Sequence, residues 1–229
     1  MSLSSTIAGW FGEKITQLGM WATLDEKTYI RFHDVIIQTE NGTTQIDHVL
    51  ISKYGIFVIE TKNYDGWIFG GEKQRNWTQS VFGKKNSFQN PLHQNYKHTK
   101  ALSECLQVDH SKIHPIIFFI GNAEFKSDFP PNVMNHGLAS YVKSFSNNIL
   151  SESEINSLRQ NLEQIKNGQI STRQHVQNLK NRYGDKTKCP KCSSPLVERI
   201  VKNGPRTGEK FMGCSAYPKC KHTAPYRQG

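Results

Sequence analysis

The sequence predicts a mixed α/β domain followed by a small cysteine-bearing segment. Apolar residues recur at helical spacing in some stretches, and short apolar runs of strand length lie between them. Four cysteines form two pairs near the C-terminal end. A chain of 229 residues is long enough for one ordinary domain with a small appendage.

The elements follow the order helix, strands, helix, strand, helix. Asn41-Gly42 and Lys53-Tyr54-Gly55 are turn signals between strands, Asn90-Pro91 marks a helix start, and Ser151 with Glu154 fits a capping box. We expect helices over residues 7–22, 92–106 and 151–167, and strands over residues 28–38, 45–52, 56–62 and 114–120. Residues 63–88 are expected to form short strands and loops around Trp67 and Trp77.

The positive charge lies mostly at the C-terminal end. The whole chain has a net charge of +10, and residues 181–229 contain 11 Lys/Arg against 3 Asp/Glu. Such a segment is typical of binding to phosphates or acidic lipid, and the alternative is a solubilising tail. We find no signal peptide and no apolar run of membrane-spanning length, so we expect a cytoplasmic protein without a membrane partner. Its cysteines are then reduced, and Cys105 is expected to be an inert thiol in the core.

Three polar residues lie at the ends of adjacent predicted strands. Asp47 begins one strand, and Glu60 and Lys62 end the next on one face, because side chains alternate along a strand. Two carboxylates and an ammonium at one place suit Mg²⁺-assisted hydrolysis of a phosphodiester, and the alternative is a salt-bridged strand end. His48 points to the opposite face, and we interpret it as a buried or edge histidine.

Several motifs occur in an order that resembles the nuclease-related domain (NERD) family over about residues 9–120. They are Gly12-Glu13, the stretch around Asp47, Gly55-Ile-Phe-Val-Ile-Glu-Thr-Lys-Asn-Tyr-Asp-Gly-Trp67, Trp77, and Gln89-Asn-Pro-Leu-His-Gln94. The resemblance implies a restriction-endonuclease-like mixed sheet flanked by helices, of the PD-(D/E)xK superfamily.

The same resemblance implies a set of site residues. It makes Asp47 and Glu60 ligands of Mg²⁺ or Mn²⁺ together with the backbone carbonyl of Thr61, and Lys62 the catalytic lysine. It adds Glu13 as a further acid from the first helix. Gln94, or Gln89, would support the site.

The four cysteines have metal-ligand spacing. Cys189 and Cys192 are separated by two residues, and Cys214 and Cys220 by five, so four thiolates can hold one structural Zn²⁺ in a segment too small to fold alone. Residues 187–223 resemble the C-terminal zinc ribbons of bacterial type I topoisomerases, which implies binding of single-stranded DNA. The residues expected to contact nucleic acid are Arg199, Lys202, Arg206, Lys210, Phe211, Tyr217, Lys219 and Lys221. Phe211 could equally pack in the small core.

The sequence therefore predicts a nuclease-like domain over residues 1–150, a helical segment and linker over residues 151–186, and a zinc ribbon over residues 187–229. The predicted function is Mg²⁺- or Mn²⁺-dependent hydrolysis of DNA, with the ribbon binding DNA. One alternative is an accessory protein that binds DNA and keeps the nuclease fold without catalysis. A further alternative is an enzyme that acts on RNA.

Overall fold

The computed structural model describes residues 23–39, 42–168, 174–177, 185, 187–192 and 194–226. The chain divides into two compact units, Met1–Ile37 with Thr44–Gln169 and Gln38–Thr43 with Ile170–Gly229. The helix predicted over residues 7–22 lies outside the described residues.

The first unit is built on a five-stranded mixed sheet. Its strand order is β1-β2-β3-β7-β9, in which β2 and β3 are antiparallel while β3 with β7 and β7 with β9 are parallel. The strands are β1 (Ile30–Thr39), β2 (Gly42–Ser52), β3 (Gly55–Asn63), β7 (Ile113–Ile120) and β9 (Val133–Met134). All four predicted strands are present, and the parallel β3–β7 pair places β3 in the centre of the sheet.

Helices cover both faces of this sheet. They are α1 (Pro91–Leu106), α2 (Leu138–Lys143) and α3 (Glu152–Gly168). Alternation along β3 sends Ile56 and Val58 into a core cluster with leucines of α1 and α3, and sends Phe57 and Ile59 into a cluster with Leu138 of α2. Mixed sheets flanked by helices confirm the predicted fold class.

The two predicted helix starts are both confirmed. Asn90 is the N-cap of α1, with its side-chain oxygen accepting from Leu92 N at 2.9 Å. Before α3, Glu154 N donates to Ser151 Oγ at 3.3 Å, and Ser151 N donates to the Glu154 carboxylate at 2.8 Å, which completes a capping box.

The prediction that Cys105 is a core thiol was wrong, because Cys105 is exposed on α1. The buried stripe of α1 passes through Thr99, Leu102 and Leu106, each three or four residues from the next. Cys105 lies beside this stripe, so helical spacing alone did not separate it from the core.

A second, four-stranded sheet has the order β6-β5-β4-β8. Its strands are β4 (Gly66–Phe69), β5 (Asn76–Val81), β6 (Lys84–Gln89) and β8 (Ala123–Phe125). The inner face buries Ile68, Trp77 and Ala123 in a third core cluster that also contains Ile117 of β7.

The second unit contains a three-stranded antiparallel sheet. It consists of β10 (Leu196–Ile200), β11 (Lys210–Cys214) and β12 (Thr223–Pro225), in that order. Over the described parts of both units, no helix has the length and apolar character needed to cross a membrane.

Candidate functional site

The antiparallel β2–β3 pair places Asp47 beside the end of β3. His48 is paired with Ile59, so Asp47 and Glu60 are the next residues along each strand and share a face. Asp47 Oδ2 accepts hydrogen bonds from the Thr61 backbone N–H at 2.8 Å and the Thr61 hydroxyl at 2.9 Å. The strand pairing therefore fixes the orientation of the Asp47 carboxylate.

Glu60 is almost fully buried at the centre of a polar network. Its Oε1 atom accepts from Lys62 Nζ and from Gln94 Nε2, both at 2.6 Å, and Gln94 Oε1 accepts from Lys62 Nζ at 3.0 Å. Its Oε2 atom lies 3.3 Å from His98 Nε2. Two residues of β3 and two residues of α1 thus meet at one carboxylate.

The two carboxylates differ in their titration. Burial, and then repulsion by Glu60, raises the pKa of Asp47 to about 6, although the hydrogen bonds from Thr61 oppose this shift. Burial also acts against the ionisation of Glu60, but Lys62 and His98 outweigh it and lower its pKa. Burial likewise acts against the charge on Lys62, but Glu60 outweighs it and raises the Lys62 pKa. In this arrangement Lys62 is therefore an ammonium at neutral pH.

The donor set around Asp47 fits a hard divalent cation. The acidic groups on this face offer oxygen only, and Mg²⁺ is commonly held by one or two carboxylates with water and phosphate oxygens completing its shell. Burial and the neighbouring charge of Glu60 both disfavour the Asp47 carboxylate, and a cation held between the two acids would oppose both effects. Within the described part of the chain, however, Asp47 and Glu60 do not belong to any group of three or more acids, histidines or cysteines whose ligand atoms all lie within 4.8 Å of one another.

Glu13 and Gln89 were also predicted to belong to this site. Glu13 lies outside the described residues, so its role as a further acid stays a prediction. Gln89 is the last residue of β6 and is exposed, whereas Gln94 contacts both Glu60 and Lys62.

His48 lies on the opposite face from the site, as expected. It is buried, and its Nδ1 atom is 2.8 Å from Nδ1 of His33. Burial, followed by the proximity of His33, lowers the pKa of His48 to about 3. The ring is neutral at physiological pH and packs inside the protein.

Sequence reasoning missed His98. The Thr44 hydroxyl is 2.8 Å from His98 Nδ1, which suits a tautomer that accepts from Thr44 and donates from Nε2 to Glu60. The signal was present in the spacing, because Gln94 and His98 stand four residues apart on one face of α1. It could be interpreted only once α1 was known to pack against β3.

The four cysteine sulfurs form a closed cluster in the second unit. All four Sγ atoms lie within 4.8 Å of one another, with Cys189 and Cys220 3.7 Å apart and Cys192 and Cys214 3.3 Å apart. Four sulfurs held about 2.3 Å from one Zn²⁺ stand about 3.8 Å from each other, so the cluster fits a tetrahedral structural zinc site. Hydrogen bonding, first from Ser194, lowers the pKa of Cys192 to about 6, whereas burial, first among its causes, raises the pKa of Cys214 to about 12, so in the absence of a cation the first proton to leave the cluster comes from Cys192.

The residues predicted to contact nucleic acid differ in how far their side chains are engaged within the ribbon. The Arg199 guanidinium lies 5.6 Å from the Tyr217 ring centroid and donates to the Cys214 carbonyl at 3.3 Å. Lys210 pairs with Glu198 at 2.8 Å. Phe211 is half-buried and lies opposite Arg199 across β10 and β11, whereas Tyr217 is 59% exposed. The remaining four cations are exposed: Lys202, Arg206, Lys219 and Lys221.

Comparison with known protein families finds two matches along the chain. Residues 8–120 match the model of the nuclease-related domain, and residues 186–228 match the model of the topoisomerase DNA-binding C4 zinc finger. Both matches confirm the resemblances drawn from the sequence motifs. The zinc-finger match also agrees with the cluster of four cysteines described above.

The curated relatives match over parts of their length. An uncharacterized Bacillus anthracis protein is 58% identical over 92 residues, which is 40% of this chain and 43% of that protein. DNA topoisomerase 1 of Mycoplasma genitalium is 57% identical over 35 residues, or 15% of this chain and 4% of the enzyme. DNA topoisomerase 1 of Pyrococcus furiosus is 51% identical over 41 residues, or 18% of this chain and 4% of the enzyme. The chain thus spans less than half the length of these relatives.

Among solved structures, the chain is similar to a crystal structure of a protein of unknown function. The two chains are 14% identical, with a TM-score of 0.33, and the alignment covers 74% of this chain and 93% of the other.

Proposed function

Because this chain carries a nuclease-related domain at residues 8–120 and a topoisomerase-type C4 zinc ribbon at residues 186–228, we propose that it is a metal-dependent nuclease that hydrolyses DNA. The zinc ribbon binds the DNA, with a preference for single strands. The cytoplasmic location expected from the sequence is part of this proposal.

One observation carries the proposal: Asp47, Glu60 and Lys62 meet on one face of β2 and β3. If these residues only formed a salt bridge at the end of a strand, they would lie in solvent, where an ion pair contributes little to stability. Here Glu60 is 3% exposed and is held by Lys62, Gln94 and His98 together. A buried charged network of this kind is typical of a functional site.

Each residue has a role that follows from its contacts. Asp47 and Glu60 hold Mg²⁺ or Mn²⁺, which when bound polarises the phosphodiester and lowers the pKa of a water molecule. The Thr61 carbonyl is proposed as a further ligand. Lys62, which stays protonated, stabilises the negative charge that develops on the phosphate oxygens. Gln94 and His98 are positioning residues, because they act through Glu60 and Lys62.

The ribbon supplies the second contact with DNA. The chain matches a family described as DNA-binding over this segment, and its relatives there are topoisomerases. Exposed Lys202, Lys219 and Lys221 suit phosphate contacts, and the exposed Tyr217 ring suits stacking on a base. Arg199 holds the Tyr217 ring in place by a cation–π contact.

A cleavage assay tests the proposal. Plasmid, single-stranded DNA and RNA are incubated with the full chain and Mg²⁺ or Mn²⁺, and product is followed over time. We expect Asp47→Ala, Glu60→Ala and Lys62→Ala each to lower the rate by about a hundredfold or more. Gln94→Ala and His98→Ala should lower it by about tenfold or more, as is usual for residues that orient a metal ligand. Lys53→Ala is the matched control, because Lys53 is an exposed lysine at the opposite end of β3.

The rival function is a DNA-binding accessory protein without catalysis. It is favoured by the donors that Lys62, Gln94 and His98 already supply to both Glu60 oxygens. Cleavage that survives all three alanine substitutions would reject the assigned site. A wild-type chain that binds DNA and cleaves none of the substrates would establish the accessory role. Cleavage of RNA alone would show that the substrate is RNA and not DNA.

A further inference from the structure

The outer face of the four-stranded sheet carries two exposed aromatic rings. The inner face of β4 buries Ile68, and strand alternation directs Trp67 and Phe69 to the other side, where they are 49% and 36% exposed. Side chains two positions apart on a strand stand about 7 Å apart. The two rings therefore form a row on an open surface.

The surroundings of this row are polar and basic. Across the strand pairs, Trp67 faces Ser80 and Phe69 faces Thr78, and those two residues face Lys85 and Ser87 of β6 in turn. Because paired residues share a face, hydroxyls and a lysine lie next to the aromatic row. Lys85 and Ser87 are both exposed.

One ring is held in place by an ion pair. Lys126 Nζ lies 5.0 Å from the Trp67 ring centroid and 2.9 Å from Oε2 of Glu124, the cross-strand partner of Trp67. The acid directly opposite Trp67, Glu124, is thus paired with a lysine. A ring fixed in this way loses little conformational freedom when a flat ligand stacks on it.

These features favour one occupant, a single strand of nucleic acid. Unpaired bases stack on aromatic side chains while lysines meet the phosphates, and hydroxyls can bond to base edges or sugars. A second copy of the chain is a poorer occupant, because the edge strand β6 begins with Lys84 and Lys85 and two such edges would repel each other. The row of rings and lysines is complementary to a polyanion with exposed bases.

The surface lies close to the candidate active site along the chain. Strand β3 ends at Asn63 and β4 begins at Gly66, so five residues lead from Lys62 to Trp67. Their Cα atoms can be at most about 18 Å apart. A strand of nucleic acid seated on β4 is then within a few nucleotides of Glu60 and Lys62.

We propose that the Trp67–Phe69 face of the four-stranded sheet binds single-stranded nucleic acid by base stacking and presents the strand to the site at Glu60 and Lys62. The inference rests on the proposed function for its class of ligand, but it concerns binding and not cleavage. It places a nucleic-acid surface in the nuclease-related domain itself, in addition to the one proposed for the zinc ribbon.

Binding to matched oligonucleotides tests the proposal. The full chain is titrated, without added Mg²⁺ or Mn²⁺, against a fluorescent twelve-residue oligothymidylate and an abasic strand of equal length and charge. We expect the double substitution Trp67→Ala with Phe69→Ala to weaken binding of the thymidine strand about tenfold or more and to leave the abasic strand nearly unchanged. Tyr96→Ala is the matched control, because Tyr96 is an aromatic residue that is 54% exposed and belongs to α1 instead of the four-stranded sheet. Each variant is also made in a chain that carries Tyr217→Ala, because this substitution removes base stacking by the ribbon.

A second measurement keeps the test independent of folding defects in the alanine variants. Trp67→Phe retains an aromatic ring and should keep wild-type affinity, and 5-iododeoxyuridine strands should photo-crosslink to the peptide that contains Trp67 and Phe69. An oligouridylate arm and a duplex arm compare RNA with DNA and single strands with double strands. Crosslinks confined to the ribbon, equal loss on the abasic strand, or tighter binding of duplex would each overturn the proposal.

The test also separates this inference from the proposed function. Lys62→Ala should abolish cleavage, and its ratio of affinities for the thymidine and abasic strands should equal that of the wild type, because both strands carry the same phosphates. A wild-type chain that never cleaves but loses affinity on Trp67→Ala with Phe69→Ala would reject the nuclease and support the surface. Cleavage that persists with wild-type affinity in the double variant would reject the surface and support the nuclease.

Discussion

At the scale of single residues, burial and near neighbours decide the charge of each group at the site. Asp47 and Glu60 are both carboxylates, but among the described residues Glu60 is surrounded by donors whereas Asp47 accepts from the two donors of Thr61. Their pKa values consequently move in opposite directions. Such a pair is suited to a site where one acid stays ionised and the other responds to a bound cation.

The raised pKa of Asp47 predicts a pH dependence of stability in the absence of added Mg²⁺ or Mn²⁺. Its folded pKa of about 6 exceeds the ordinary value of 3.8, so between these values the folded chain holds a proton that the unfolded chain releases. This contribution therefore stabilises the fold at low pH and is lost as pH rises through about 6. We expect Asp47→Asn, which cannot ionise, to gain stability over wild type by about 2 kcal/mol more at pH 8 than at pH 3.5.

Urea unfolding at the two pH values measures this difference. The titration of His48 is present in both proteins, so the comparison between them reports Asp47 together with its coupling to Glu60. A stability difference that is the same at pH 3.5 and pH 8 would contradict the raised pKa.

At the scale of elements, the site depends on how α1 is anchored to the sheets. Asn95 of α1 donates to the carbonyls of Val58 in β3 and Ile116 in β7, at 3.0 and 2.9 Å. Gln94 and His98, on either side of Asn95 along the helix, are thereby directed to Glu60. The position of a single helix thus determines which side chains surround the carboxylate.

Asn90 anchors the start of the same helix. It is fully buried, caps α1 through Leu92 N, and donates its amide to three carbonyls of the loop before β5, those of Gly71, Glu72 and Gln74. We expect Asn90→Ala to lower the free energy of unfolding by about 3 kcal/mol, because a cap is lost together with the hydrogen bonds to three loop carbonyls.

Equilibrium unfolding in urea measures the cost. Asn90→Asp keeps the capping oxygen but cannot donate, so it should be destabilised as well, which separates the loop contacts from the cap. Ser151→Ala removes an exposed cap of α3 and should cost only about 1 kcal/mol. Equal effects of Asn90→Ala and Ser151→Ala would show that the loop contacts contribute nothing.

At the scale of the whole molecule, the ribbon depends on metal because its sheet is too small for a core. Its three strands contain five, five and three residues, and the cysteine cluster supplies the main buried centre. We expect about one zinc per chain, and we expect Cys214→Ser to lose the zinc together with affinity for single-stranded DNA.

Elemental analysis and a DNA-binding titration check this expectation. Cys105→Ser is the matched control, because Cys105 is an exposed cysteine outside the cluster, and it should keep both zinc and affinity. A folded, zinc-free chain with a disulfide between Cys189 and Cys192 would contradict the structural role of the metal.

Much of the fold could be predicted from local patterns. The caps at Asn90 and Ser151, the strands around Asp47 and Glu60, and the spacing of the four cysteines are properties of short stretches of chain. Each depends on neighbours within a few residues or on one repeated spacing. That is why the sequence predicted them without knowledge of the packing.

Other features depended on contacts between distant parts of the chain. The same aromatic residue type is buried at Trp77 and exposed at Trp67, because β4 and β5 direct those two side chains to opposite faces of one sheet. Cys105 fits the spacing of a core residue but lies beside the buried stripe of α1. Local spacing cannot distinguish such cases, since it does not say which face meets a partner.

The sequence by itself determined that residues 8–120 match a nuclease-related domain, that four cysteines have the spacing of a zinc site, and that a pair of strands carries Asp47, Glu60 and Lys62. Only the tertiary structure decided that Gln94 and His98 bond to Glu60, that Asp47 resists ionisation, and that Trp67 and Phe69 form an open face. The physical reason is the separation along the chain over which each interaction acts. Strand alternation and ligand spacing act over a few residues, whereas hydrogen bonding across 34 residues, desolvation and exposure arise only when separate elements pack together.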